Sequence, residues 1–327
     1  MHMADALVSP TVGGVMWGVT AGVALWSARK LRQRGEERLV PLMGVLGAFV
    51  FAAQMINFSI PGTGSSGHLG GGILLAVLLG PHAAFIVIAS VLAVQALFFA
   101  DGGLLAFGCN LFNMGFLPAF IAWPLIYRPL AVAGRVRLAA FIAAVFGLQL
   151  GALAVVVETT LSGITSLPFT TFLLAMQPIH LAIGLVEGGV TAALLLFIAR
   201  MEPAMLPVES ATRRFPGGKR LFLSLLAAAL FTGALLAWYA STSPDGLEWS
   251  VARVMGGASL PETADPTLLQ RIQQRLAFLP GYGLPVAGGG GRFGTTLAGL
   301  VGSLVTLLVI VAIGFILWHR RQRSSSR

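Results

Sequence analysis

The sequence predicts an all-α polytopic membrane protein, and three observations predict it. Of its 327 residues, 56% are hydrophobic and only 10% charged, against about 25% charged in a soluble domain; the mean hydropathy is +0.86. The apolar residues fall into runs near the roughly 20 residues that a helix needs to cross a bilayer. Lys and Arg collect in the gaps between those runs. Charge this sparse cannot solvate an ordinary surface, so lipid must cover much of it.

Taken in order, the runs predict about nine spans, at 10–28, 40–57, 69–80, 82–100, 104–127, 138–157, 176–199, 221–240 and 297–318. The third is short and glycine-rich, and Pro81 separates it from the fourth. Short cytoplasmic loops gather basic residues. Arg29, Lys30, Arg32, Arg34 and Arg38 follow the first span, and Arg128, Arg135 and Arg137 the fifth. Arg200, Arg213, Arg214, Lys219 and Arg220 follow the seventh, and Arg320, Arg321, Arg323 and Arg327 the last. Seventeen of the 21 basic residues thus share one side, which predicts an inner-membrane protein with its amino terminus outside and its carboxyl terminus in the cytoplasm. The net charge of +9 is therefore topological and does not point to nucleic acid.

Two modules are expected. Residues 1–200 form a dense membrane bundle. Residues 201–220, with Pro203, Pro207, Pro216, Gly217 and Gly218, read as a cytoplasmic linker. Residues 221–327 form a module of two spans around an external loop at 241–296. The single cysteine, Cys109, excludes a disulfide within the chain or a thiolate cluster. No basic region precedes the first apolar run, so no cleavable signal peptide is expected, and bulky His2 predicts that Met1 is retained.

The five histidines are where chemistry is expected. The Met1 amine, the His2 amide nitrogen and His2 Nδ1 can close a five- and a six-membered chelate ring on one metal ion. With a deprotonated amide the three nitrogens are nearly coplanar, a geometry that suits Ni(II) or Cu(II). His68, in the loop at 57–68 expected on the same side, is the natural fourth ligand. The plainer alternatives are a surface histidine and a loop histidine bonded to a neighbouring carbonyl. His82, His180 and His319 are expected in structural or interfacial roles. Gln54, Asn57, Gln95, Asn110, Asn113, Gln149, Glu158 and Glu187 are polar groups at or near membrane depth, which tend to face the bundle. Asn110 and Asn113 share a helical face at i, i+3; they bond between helices or, with Asn57, support a metal site. Glu187 is a candidate for pairing across helices. No P-loop, Gly-x-Ser-x-Gly elbow or His-Glu-x-x-His helix occurs, so no enzyme activity is expected.

Three stretches resemble a known family: Met1-His2-Met3-Ala4-Asp5-Ala6-Leu7, the loop from Asn57 to Leu69, and Asn110-Leu111-Phe112-Asn113-Met114-Gly115. Over residues 1 to about 200 the chain is similar to the CbiM/NikM proteins, substrate-capture (S) components of energy-coupling factor transporters for cobalt and nickel. Ser243-Pro244-Asp245-Gly246-Leu247-Glu248 resembles the PDGLE signature of the companion subunit CbiN or NikN, so the chain looks like an M–N fusion. The resemblance implies a seven-span bundle with two further transmembrane helices. It implies a substrate metal held by Met1, His2 and His68, no cofactor, and partners in a transmembrane coupling (T) subunit and cytoplasmic ATPase (A) subunits. The rival readings are a stand-alone secondary transporter or channel for a divalent cation and, last, a membrane enzyme.

Overall fold

The structure, a computed structural model, describes residues 2–34, 39–202, 219–257 and 267–325. Most of the expected linker at 201–220 lies outside the described residues, as does Met1. The described chain is helical apart from one small hairpin. Helices α1 (Pro10–Arg34), α2 (Val40–Gln54), α3 (Gly72–Leu79), α4 (Pro81–Phe99), α5 (Phe107–Val132), α6 (Val136–Ser162) and α7 (Phe169–Met201) build the first bundle. Helices α8 (Lys219–Ala234), α9 (Gly246–Val254), α10 (Leu268–Leu276) and α11 (Gly291–Ser325) follow.

Local rules account for the helix ends. Ser9 Oγ accepts the Val12 N–H as Pro10 starts α1, and prolines also open α2 and α4. Within α5, Phe112–Tyr127 winds as a π-helix carrying Pro118 and Pro124, residues that supply no N–H to the helical ladder. Gly163 ends α6 with φ at 61°.

Six described helices are long and apolar enough to cross a membrane, and α2 and α8 are shorter apolar ones. The expected third span needs correction. Helix α3 has only eight residues, about 12 Å, too short to cross alone. The reason is local. Gly71 takes φ 75°, and the N–H groups of Gly70 and Gly71 go to the Glu187 carboxylate rather than to a preceding helical turn. Residues 68–71 therefore enter the bundle without helix. The seventh span begins at Phe169 rather than 176, and the last at Gly291 rather than 297.

Helix α3 is wholly buried and α4 largely so, whereas α1, α7 and α11 show much of their apolar surface. Leu25, Leu174 and Leu304 are 62%, 68% and 56% exposed, which makes the outer belt apolar. Helices α8 and α11 pack on α2 and on each other. A Cβ added at Gly299 would lie 2.2 Å from the Gly233 carbonyl oxygen, so this crossing requires glycine.

Candidate metal centre

The site is built by drawing the amino-terminal segment into the bundle. Asn110 grips the Met3 backbone from both sides: its Oδ1 accepts the Met3 N–H at 2.7 Å and its Nδ2 donates to the Met3 carbonyl at 3.1 Å. The Gly103 N–H donates to the same carbonyl at 2.9 Å. Asp5 Oδ1 accepts the N–H groups of Leu105 and Ala106. One helical turn on, Asn113 Nδ2 donates to Glu158 Oε2 at 2.8 Å and lies 3.8 Å from the Met3 sulfur. Met3, Leu7 and Val8 are buried, so apolar contact adds to these polar anchors.

This seating buries His2, whose side chain is only 7% exposed. Its ring lies 5.0 Å from that of His68, centroid to centroid, with 16° between planes, so the two imidazoles stack face to face. His2 Nδ1 faces Asp101 Oδ1 at 3.3 Å, and the other Asp101 oxygen accepts from the Tyr282 hydroxyl. His68 Nδ1 lies 3.2 Å from the Leu69 carbonyl; a ring donating there presents a lone pair at Nε2.

The His68 loop is held from below. Strands β1 (Phe58–Ile60) and β2 (Ser65–Gly67) pair antiparallel with Phe58 opposite Gly67, Ser59 opposite Ser66 and Ile60 opposite Ser65. After the hairpin, Gln95 Nε2 donates to Gln54 Oε1, Gln54 Nε2 donates to the Gly70 carbonyl, and Glu187 accepts from Gly70 and Gly71.

The second module closes over this end. The Ser66 N–H donates to the Pro244 carbonyl at 2.8 Å, Ser66 Oγ donates to the Ser243 carbonyl, and Trp249 Nε1 donates to the Thr63 carbonyl. Asp245 caps α9, accepting from the N–H groups of Leu247 and Glu248, while Glu248 returns a bond to the Asp245 N–H. Gln273 Nε2 donates to the Ala96 and Gly102 carbonyls.

Burial, which disfavours the charged ring, lowers the pKa of both His2 and His68, His68 the more strongly. Burial alone would raise Asp245, but positive charge at the site and the Glu248 N–H hold its carboxyl below the usual carboxylate range. The result is two neutral imidazoles beside two acidic residues, a donor set suited to a borderline divalent ion. Among the described residues, no three His, Cys, Asp or Glu side chains converge on one point.

The expected site residues are therefore brought together unevenly. His2 and His68 meet, and Asn110 and Asn113 stand directly beneath the segment that carries His2. Asn57 lies in the seam between modules, its carbonyl accepting the Ser241 N–H at 2.7 Å. Met1 is outside the described residues. His82 bonds Ser27 Oγ at 3.2 Å and packs edge-on to Trp26. Sequence reasoning missed Asp101 and Tyr282, it left Gln54 and Gln95 without assigned roles, and it gave Glu187 no partner beyond pairing across helices. Their polarity inside or beside apolar runs was the available signal.

Fold and site define a class: a multi-pass membrane protein with a candidate metal centre where His2 meets His68. The chain belongs to the CbiM family, since residues 2–205 match the family described as cobalt uptake substrate-specific transmembrane region. Residues 219–319 match the PDGLE domain. It is 33% identical to a putative fused nickel transport protein NikMN of Archaeoglobus fulgidus, over 97% of this chain and 98% of that one. It is 34% identical to the fused nickel transport protein NikMN of Rhodobacter capsulatus, over 69% of each chain. A crystal structure of a truncated transition metal transporter is similar at 32% identity with a TM-score of 0.56, covering 61% of this chain and 99% of that one.

Proposed function

We propose that this chain is the substrate-capturing membrane component of an ATP-driven energy-coupling factor importer for Ni(II) or Co(II). The observation that carries the reading is the buried apposition of His2 and His68, 5.0 Å apart, with the segment bearing His2 gripped by Asn110. The names of the relatives, which include nickel and cobalt transport proteins, support it.

In this reading the capture end faces outside the inner membrane. Two of the four nitrogen donors come from the chain itself, the Met1 amine and the His2 amide, which accords with the lack of a three-side-chain cluster among the described residues. His2 Nδ1 supplies the third and His68 the fourth. Closing the chelate exchanges the Nδ1–Asp101 contact for the metal. Imidazole and amide nitrogens also bind Cu(II) strongly, so selection rests on geometry and supply as well as affinity. Release to the cytoplasm is then driven by a coupling subunit and ATPases on separate chains.

The test is calorimetric titration of Ni(II) and Co(II) into purified protein with its native amino terminus, beside a variant carrying a histidine-free extension before Met1. The native form is expected to bind one ion tightly and the extended form to lose that site. Equal tight binding by both would remove the Met1–His2 chelate and with it this reading.

A further inference from the structure

His180 is not needed by the capture site, yet its chemistry is set up for a ligand. It lies on α7 and is 1% exposed. Its Nδ1 lies 2.8 Å from the Met176 carbonyl, an acceptor that can only receive a proton, so Nδ1 carries the hydrogen and Nε2 keeps the lone pair. That Nε2 is buried and has no hydrogen-bond partner. Buried acceptors are ordinarily paired, because leaving one unpaired costs its full desolvation. An imidazole held by a backbone carbonyl on one nitrogen and open on the other is the arrangement that metal-ligating histidines use.

The open nitrogen belongs to a cavity of about 20 Å³, room for roughly one water or one ion. His68, Glu187, Asn113, Asp245 and Gly246 line it with His180. Glu187 is committed to the Gly70 and Gly71 N–H groups and Asp245 to the cap of α9, so neither cancels the imidazole's role. Gly246 forms the roof. A Cβ built there would stand 3.2 Å from His180 Nε2 and 3.0 Å from Cε1, so the absence of a side chain is what keeps the nitrogen accessible from the cavity.

We propose that His180 Nε2 is the protein ligand of a second, weaker divalent-cation position, enclosed between α7 and the Asp245–Gly246 turn and adjoining the capture site through the wall that His68 shares. Its ligand class is a borderline transition-metal ion such as Co(II) or Ni(II), with water completing the coordination. It extends the capture reading by giving the ion a second resting place under the second module, but its test does not require the Met1–His2 chelate.

The experiment uses the full chain with the histidine-free amino-terminal extension, which removes the capture site, and Co(II) as the probe. Binding is followed by calorimetry and by X-ray absorption, which reports imidazole ligation. The extended chain is expected to bind one Co(II) with imidazole scattering. His180→Gln is expected to weaken that binding at least tenfold, and His82→Gln to leave it unchanged. Gly246→Ala, which keeps the histidine and fills its approach, is expected to weaken it as well, and it decides the matter where His180→Gln melts at a lower temperature. No Co(II) binding by the extended chain overturns the proposal, as does binding unchanged in the His180 and Gly246 variants. Failure of the capture reading looks different: extended and native chains then bind Co(II) alike, whatever happens at His180.

Discussion

At the residue scale, Asn110 does what neither ligand can do for itself. Its amide satisfies both the N–H and the carbonyl of Met3, next to His2, inside the bundle. Asn110→Ala leaves two buried backbone groups to lose or share partners, at about 1–3 kcal/mol. Because the segment that carries His2 is then less ordered, metal affinity is expected to fall about ten- to hundredfold, measurable by the same titration. The two rings predict a pH profile. Their pKa values are lowered by burial, so both stay neutral below the ordinary imidazole value of about 6.5. Between pH 7.5 and 6 the protons displaced per ion should come from the amine, with its ordinary pKa of about 7.7–8, and from the amide, giving a slope of about two log units of affinity per pH unit. A slope climbing toward about four as pH falls through 6.5 would show that the rings titrate as if exposed. The same shifts have a sign for stability. Below about 6.5 the unfolded chain takes up protons that the folded one refuses, so metal-free stability is complete above that pH and is lost as pH falls through it.

At the element scale, the glycine-rich stretch before α3 and the crossing of α8 with α11 show why small residues abound in a bundle of this kind. Residues 68–71 bring His68 into the interior because their backbone donors are met by Glu187 and their carbonyl at Gly70 by Gln54. A polar backbone inside a bilayer is tolerated where protein satisfies it. The Gly233–Gly299 crossing has no such latitude. Gly299→Val would drive a side chain into the Gly233 carbonyl, where even a Cβ comes to 2.2 Å. The helices must separate, and a loss of about 1–3 kcal/mol is expected, seen as a lower melting temperature in detergent. An unchanged melting temperature would mean that α8 and α11 do not cross here.

At the scale of the whole molecule, the second module packs against the end of the bundle that holds His2 and His68. It bonds the His68 hairpin through Ser66, Trp249 and Ser241, and the Asp101 loop through Gln273 and Tyr282. With α8 and α11 also packed on α2, the union does not depend on the covalent link. Residues 1–205 and 219–327 expressed as separate chains are therefore expected to co-purify, with metal binding restored only in the pair. Independent elution of the two pieces would show that the junction alone holds them together.

Much of this was legible in the residues alone. Composition and apolar run length fix the class, because lipid-facing and buried surfaces are both largely apolar and basic residues collect in the loops. The chemistry of a histidine at position two singles out His2, and the Asn110–Asn113 spacing puts both amides on one face. Periodicity reports that a residue is buried, but not what it meets. Glu187 and Gly70 are 117 positions apart, Tyr282 and Asp101 181. The reach of Glu187 into the His68 loop, the Asp101 contact with His2, and the unpartnered nitrogen of His180 under Gly246 follow only from how the helices cross. Tertiary structure decided them because each depends on the position of a partner that lies far away along the chain.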